Sequence, residues 1–164
     1  MASRLWFNIE PIERKAVNDQ YVGFAERYDL PYGFAGKPDQ GMVEFFRMLF
    51  AQKGVNRVLD CACGTGRHLQ MLRDLGCEVY GSDISPSMLE QAQINLATAN
   101  GKIQLLHADY RCLPESFNEH FDAVICLGAI GYMPDEAQFL KAFESMGSVL
   151  REDGILVLSA IPTD

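Results

Sequence analysis

Val58-Leu59-Asp60-Cys61-Ala62-Cys63-Gly64-Thr65-Gly66 runs from an apolar, strand-like stretch into a turn bracketed by two glycines, directly ahead of a helix-forming segment that starts at Arg67. A strand-to-helix turn needs glycine where φ is positive or where a ligand must touch bare backbone, and Gly64 and Gly66 flank such a turn. About twenty residues further on, the apolar segment from Cys77 to Ser82 ends in Asp83. A carboxylate at the tip of a second strand accepts hydrogen bonds from ribose hydroxyls. Turn and carboxylate together predict a nucleoside ligand.

The dinucleotide fingerprint requires a third glycine three positions after the second, so that a helix packs closely and its N-terminus meets a pyrophosphate. Leu69 occupies that position. Gly-Thr-Gly followed by Arg67-His68-Leu69 therefore suits a nucleoside without a pyrophosphate better than NAD.

Composition bounds the rest. A chain of 164 residues, 48% of them hydrophobic, buries most of its unfolded surface in one core. The formal net charge is -8 and the pI about 4.8, which disfavours a broad polyanion-binding face; no nucleic acid partner is expected, and a small molecule is. Between Met1 and Gln20 the charged residues Arg4, Glu10, Glu13, Arg14 and Lys15 interrupt the apolar ones, so the continuous core of a signal peptide is missing. No segment has the length of a membrane span. A cytoplasmic location and no membrane partner are the expectation. Cys61, Cys63, Cys77, Cys112 and Cys126 are odd in number, which fits reduced thiols in a reducing compartment. Cys61, Cys63 and His68 lack the paired spacing of zinc sites, and no metal is expected.

Along the chain, strand-like and helix-like apolar periods alternate as in βαβ units, which predicts a parallel sheet. Glu10 to Arg27 reads as a polar helix, Leu30 to Lys37 as a loop, and Pro38 to Lys53 as an amphipathic helix whose apolar face is Met42, Phe45, Phe46, Leu49 and Phe50. Helices are then expected from Arg67 to Leu75, stopped by Gly76, and from Ser85 to about Ala99, with Ser85 as N-cap and Pro86 at the first position. Arg111 to His120 reads as loop with one turn of helix. Pro134 to Leu150 reads as the last helix, with Pro134 at its start and Arg151 to Gly154 ending it, before a fifth strand over Ile155 to Ile161.

With these pieces in place, Val58 to Gly66 and Asp83 resemble motif I and the following acidic site of the class I S-adenosylmethionine-dependent methyltransferases. Ile103 to Asp109 resembles that family's third strand, and Phe121 to Gly128 its fourth, most like the glycine N-methyltransferase branch. The resemblance covers Val58 to about Ile161. It implies an α/β fold, a Rossmann-like doubly wound and mostly parallel sheet, with S-adenosyl-L-methionine as cofactor. It also implies roles. Ala62, Gly64 and Gly66 would lie against the methionine portion and ribose, and Asp83 on the ribose. Ile84, Asp109 and Tyr110 would lie at the adenine, and the Leu127 carbonyl on the amino group, while Asp60 orders the glycine turn. Residues 1–54 would form an N-terminal helical lid on a cofactor-binding core of residues 55–164.

The implied reaction is methyl transfer to a small-molecule acceptor, with an amine as one candidate. An in-line displacement at a sulfonium mainly requires collinear placement of donor and nucleophile, so no catalytic acid is assigned. Tyr21, Tyr28, Tyr32 and Tyr132 are candidates for the acceptor side, with Lys37 as a candidate for the cofactor carboxylate. Where the glycine N-methyltransferase branch has Asn-Ser after Cys-Leu-Gly, this chain has Ala129-Ile130, so those polar acceptor contacts are not expected.

The family sheet continues past its fifth strand into a helix and an antiparallel strand pair, whereas this sequence stops at Asp164. A C-terminally truncated core is the expectation. Its apolar edge strand would be open to association, including homo-oligomerisation. The alternative function is a catalytically silent cofactor-binding module; an NAD-dependent oxidoreductase is the remaining contrast.

Overall fold

The computed structural model describes residues 19–29, 39–97, 103–118 and 120–159. Within them lie five helices: α1 (Ala25–Tyr28), α2 (Gln40–Lys53), α3 (Arg67–Asp74), α4 (Pro86–Leu96) and α5 (Glu136–Ser148). The strands are β1 (Arg57–Asp60), β2 (Glu78–Asp83), β3 (Ile103–His107), β4 (Phe121–Leu127) and β5 (Leu150–Ser159). They form one sheet in the order β3-β2-β1-β4-β5, and every neighbouring pair is parallel. This is the expected doubly wound α/β architecture.

Alternation along the strands divides the core into two layers. Val58, Val79, Leu105 and Ile125 face a cluster that includes Phe46 and Phe50 of α2, Leu69 and Leu72 of α3, and Leu89 and Leu96 of α4. Leu59, Tyr80, Val124 and Cys126 face the opposite cluster, with Ala142 and Met146 of α5 and with Leu113 and Phe117 from the segment after β3. Successive strand residues point to opposite faces, so a sheet covered on both sides reads as a nearly continuous apolar run. Burying each such side chain contributes about 1.5–3 kcal/mol.

Several elements differ in detail from expectation. Helix α2 begins after Asp39, whose carboxylate accepts from Met42 N at 2.8 Å. Phe45 is 52% exposed rather than part of the buried face. Helix α2 packs into the core through Phe46 and Phe50. Of the helix expected from Glu10 to Arg27, the described part is a turn followed by α1. Residues 10–18, Tyr32 and Lys37 lie outside the described residues.

Ser85 caps α4 as expected, accepting from Met88 N at 3.1 Å, with Pro86 at the helix start. Helix α5 is capped by Asp135, which accepts from Gln138 N at 2.8 Å, and not begun by Pro134. A carboxylate that satisfies a free N–H holds a helix start better than a residue that merely lacks one. Arg151 to Gly154 do not end the helix. They bulge out of β5, between the pairings Phe121↔Leu150 and Ala123↔Ile155, with Asp153 at φ 63°. β5 forms one edge of the sheet.

Candidate functional site

A cleft of about 690 Å³, counting its open mouth, lies at the carboxyl ends of the strands. It sits where the strand order reverses between β1 and β4, the position at which open parallel sheets bind ligands. Cys61, Ala62 and Gly64 line it from the turn after β1, and Asp83, Ile84 and Met88 from β2 and the start of α4. Tyr110 contributes from the segment after β3, and Leu127, Gly128, Ala129 and Tyr132 from the end of β4 onward. Gln20, Tyr21 and Tyr28 complete it from the segment that carries α1.

The two glycines of the opening sequence do different work. Both have positive φ, 53° at Gly64 and 84° at Gly66. A Cβ on Gly64 would meet nothing within 4 Å, so its backbone is open on that side; one on Gly66 would come within 3.0 Å of Leu96 Cδ1. Gly64 is therefore a bare surface for a ligand, and Gly66 permits α3 to start beside α4. The turn is tied to β2, with Cys63 N donating to Ser82 O at 2.9 Å.

Asp83 braces the same turn. Its Oδ2 accepts from Gly64 N at 2.9 Å and its Oδ1 from Ser85 N at 2.8 Å. Each oxygen keeps further accepting capacity at the cleft. Burial pushes the Asp83 carboxyl above its ordinary range, against the lowering effect of those two N–H donors. Asp60 is wholly buried behind the turn. Its Oδ1 takes Ala62 N at 3.5 Å, while its Oδ2 has no hydrogen-bond partner. Burial pushes Asp60 up to about 7. His68 Nδ1 stands 3.9 Å from that free oxygen, yet burial and Arg67 lower the histidine's pKa, so it is a poor counter-charge at neutral pH. Two acidic groups thus face one turn, one of them with an unused oxygen. Such an arrangement fits a ligand bearing hydroxyl donors and positive charge.

Of the residues singled out in the sequence, Ala62, Gly64, Asp83, Ile84, Tyr110 and Leu127 line the cleft. Asp60 lies beneath it and Gly66 opens α3 behind it. Asp109 directly precedes the cleft residue Tyr110. Its carboxylate is held by Arg111, with Nε at 2.9 Å from each oxygen, and is not among the cleft-lining residues. The guanidinium two positions on folds back as a planar fork, which matches a carboxylate edge better than any single donor.

Tyr110 is in place, its hydroxyl 3.8 Å from Met133 Sδ, and burial pushes its pKa up to about 12, keeping it a neutral phenol. Tyr21, Tyr28 and Tyr132 converge on the cleft from far apart in the chain. Gln20, Cys61, Gly128 and Ala129 line the cleft as well, beyond the residues to which the sequence points. Cys61 and Gly128 directly follow strands, a positional signal that was available; Gln20 carried none.

Residues 58–154 match the family described as methyltransferase domain. The chain belongs to the class I S-adenosylmethionine-dependent methyltransferases. It is 36% identical over 143 residues to a glycine/sarcosine N-methyltransferase of Aphanothece halophytica, covering 86% of this chain and 53% of that protein. To the human glycine N-methyltransferase it is 35% identical over 124 residues, covering 67% and 42% respectively. Among solved structures, an S-adenosylmethionine-bound amino pentose methyltransferase of Micromonospora echinaspora superposes with TM-score 0.71 at 28% identity, over 82% of this chain and 56% of that one. A sugar N-methyltransferase of Streptoalloteichus gives 0.67 at 34% identity, over 82% and 53%. The chain spans about half the length of the first relatives it matches.

Proposed function

We propose that this chain binds S-adenosylmethionine in the cleft and transfers its methyl group to a small-molecule acceptor, with an amine as the favoured nucleophile. The observation that carries this reading is Asp83, a carboxylate at the β2 tip braced between Gly64 N and Ser85 N and still able to accept at the cleft. When bound, the cofactor supplies a methyl carbon on a sulfonium, which accepts the acceptor's lone pair as the carbon–sulfur bond breaks. Asp83 takes the ribose hydroxyls. Ala62 and the open backbone of Gly64 lie against the ribose and methionine portion, with Gly66 holding the turn from behind. Ile84 and Tyr110 flank the adenine, and the Leu127 carbonyl receives the ammonium.

Asp60 keeps the turn ordered and lends it negative potential. Asp109 acts indirectly, through Arg111, to fix the segment that carries Tyr110. Tyr21, Tyr28 and Tyr132 stand where an acceptor would enter, and aromatic faces favour a cationic donor and an amine. The amine is supported by the relatives' names, which include sugar and glycine/sarcosine N-methyltransferases. The cover over the cleft is assigned to residues 19–29, ahead of α2. Strand β5, outermost in the sheet among the described residues, is the proposed site of any self-association.

The test combines titration calorimetry with S-adenosylmethionine and S-adenosylhomocysteine and mass-spectrometric detection of methylated product over glycine, sarcosine and amino-sugar acceptors. Saturable binding of both cofactor forms and methylation of an amine are expected; a folded chain that binds neither form overturns the reading. A second reading is a binding module without turnover. It predicts binding heat and no product on any acceptor.

A further inference from the structure

The segment of residues 19–29 lies across one side of the cleft with little apolar anchoring. Of its side chains, Ala25 and Asp29 are buried, whereas Val22 and Phe24 point outward at 71% and 50% exposure. What fixes it is polar. Asp19 Oδ1 accepts from Ser85 Oγ at 2.8 Å and from Tyr21 N at 3.0 Å, and its Oδ2 accepts from Ser87 N at 3.0 Å. At the other end of the segment, Asn95 Nδ2 donates to Asp29 Oδ2 at 3.4 Å and to Thr65 O, within the glycine turn, at 3.0 Å.

Asp19 therefore works as an additional cap on α4, supplied from 66 residues away. Ser85 is the joint. Its hydroxyl donates to Asp19 while accepting from Met88 N, and its own N–H is held by Asp83. An unbroken chain of hydrogen bonds runs from Tyr21 N through Asp19, Ser85 and Asp83 to Gly64 N. The residues that cover the cleft and the carboxylate assigned to the ribose are thus positioned by one serine. Because an alanine-sized apolar anchor is worth less than charge-assisted hydrogen bonds, the carboxylate and not the packing decides whether the segment stays closed.

We propose that Asp19 is a latch, a positioning residue that holds residues 19–29 over the cleft and sets how long the cofactor remains bound. The release role rests on the reading that the cleft binds S-adenosylmethionine; the closed geometry does not.

Two measurements on the full chain separate these. Stopped-flow displacement of S-adenosylhomocysteine should show dissociation about tenfold faster in Asp19→Ala, the loss of roughly one charge-assisted contact, with association nearly unchanged. Asp19→Asn, which keeps an accepting oxygen but loses the charge, should fall between the two. Hydrogen exchange on ligand-free protein should show the amides of Tyr21 and Ser87 losing protection in Asp19→Ala while Leu59 in β1 keeps it. Wild-type dissociation rates in Asp19→Ala overturn the latch, as does a parallel loss of protection at Leu59, which would mean general destabilisation. If the wild-type chain binds neither cofactor form, the functional reading fails and the release role falls with it, while exchange at Tyr21 and Ser87 still decides the closed geometry.

Discussion

The two ends of the sheet use the same device for different purposes. At the amino ends of the strands, Asp122 Oδ2 accepts from Asn56 N at 2.6 Å and Arg57 N at 2.9 Å, and Arg151 Nε covers Oδ1 at 3.1 Å. At the carboxyl ends, Asp83 likewise braces two backbone N–H groups, those of Gly64 and Ser85. There the second acid is Asp60, whose cost of ionising is raised first by burial and further by the neighbouring Asp83 charge. One carboxylate has its charge answered within the fold. The other shares its surroundings with a second acid and lines the cleft. Satisfied charge makes a clamp; charge left over makes a site.

The largest expected effect tests the excess charge. Asp60 has a folded pKa of about 7 against an ordinary 3.8, so between those values the folded chain binds a proton that the unfolded chain has released. Ligand-free stability should therefore fall as pH rises through this window and level off above it, by at most about 4 kcal/mol. Asp60→Asn should flatten that slope in urea titrations run from pH 4 to 8. A wild-type protein with no slope would break the contrast between the two ends.

Next in size is a crossed pair of substitutions. Asp122→Ala should cost about 3 kcal/mol of unfolding free energy by leaving the Asn56 and Arg57 amides without their acceptor, with the dissociation constant of S-adenosylhomocysteine unchanged in the folded protein. Asp83→Ala should weaken that ligand about thirtyfold, roughly 2 kcal/mol, and exceed Asp122→Ala in its effect on binding. Equal effects of both on binding would erase the distinction. The smallest effect sharpens it. Gly64→Ala meets no neighbour, so its cost is the positive φ alone, about 1 kcal/mol in a thermal melt. Any larger loss, seen only in the affinity for the cofactor product, reads the ligand's contact with bare backbone.

Legibility followed the range of the interactions. The glycine turn, the Ser85 cap with Pro86, and the alternation of strand-like and helix-like segments depend on neighbours in sequence, and they are readable there. The pairing of Asp109 with Arg111 is decided by how the guanidinium folds back, which spacing does not reveal. The start of α5 went to Asp135 over Pro134 by a similarly local competition. The bulge at Arg151 to Gly154 reflects the register of β5 on β4, with Arg151 drawn to Asp122, and Gly154 set 2.9 Å from Arg151 O if it carried a Cβ.

By itself, the sequence determined the class of fold and the kind of ligand, because strand periodicity, glycine at a turn and a carboxylate at a strand tip are properties of contiguous residues. Only the tertiary structure decided which acids stand answered and which do not, and which distant side chains line the cleft. Asp19 meets Ser85 and Ser87 across more than sixty positions, and Asp122 meets Arg57 across 65. Electrostatic balance depends on distance in space and on burial, and neither is written in the order of the residues.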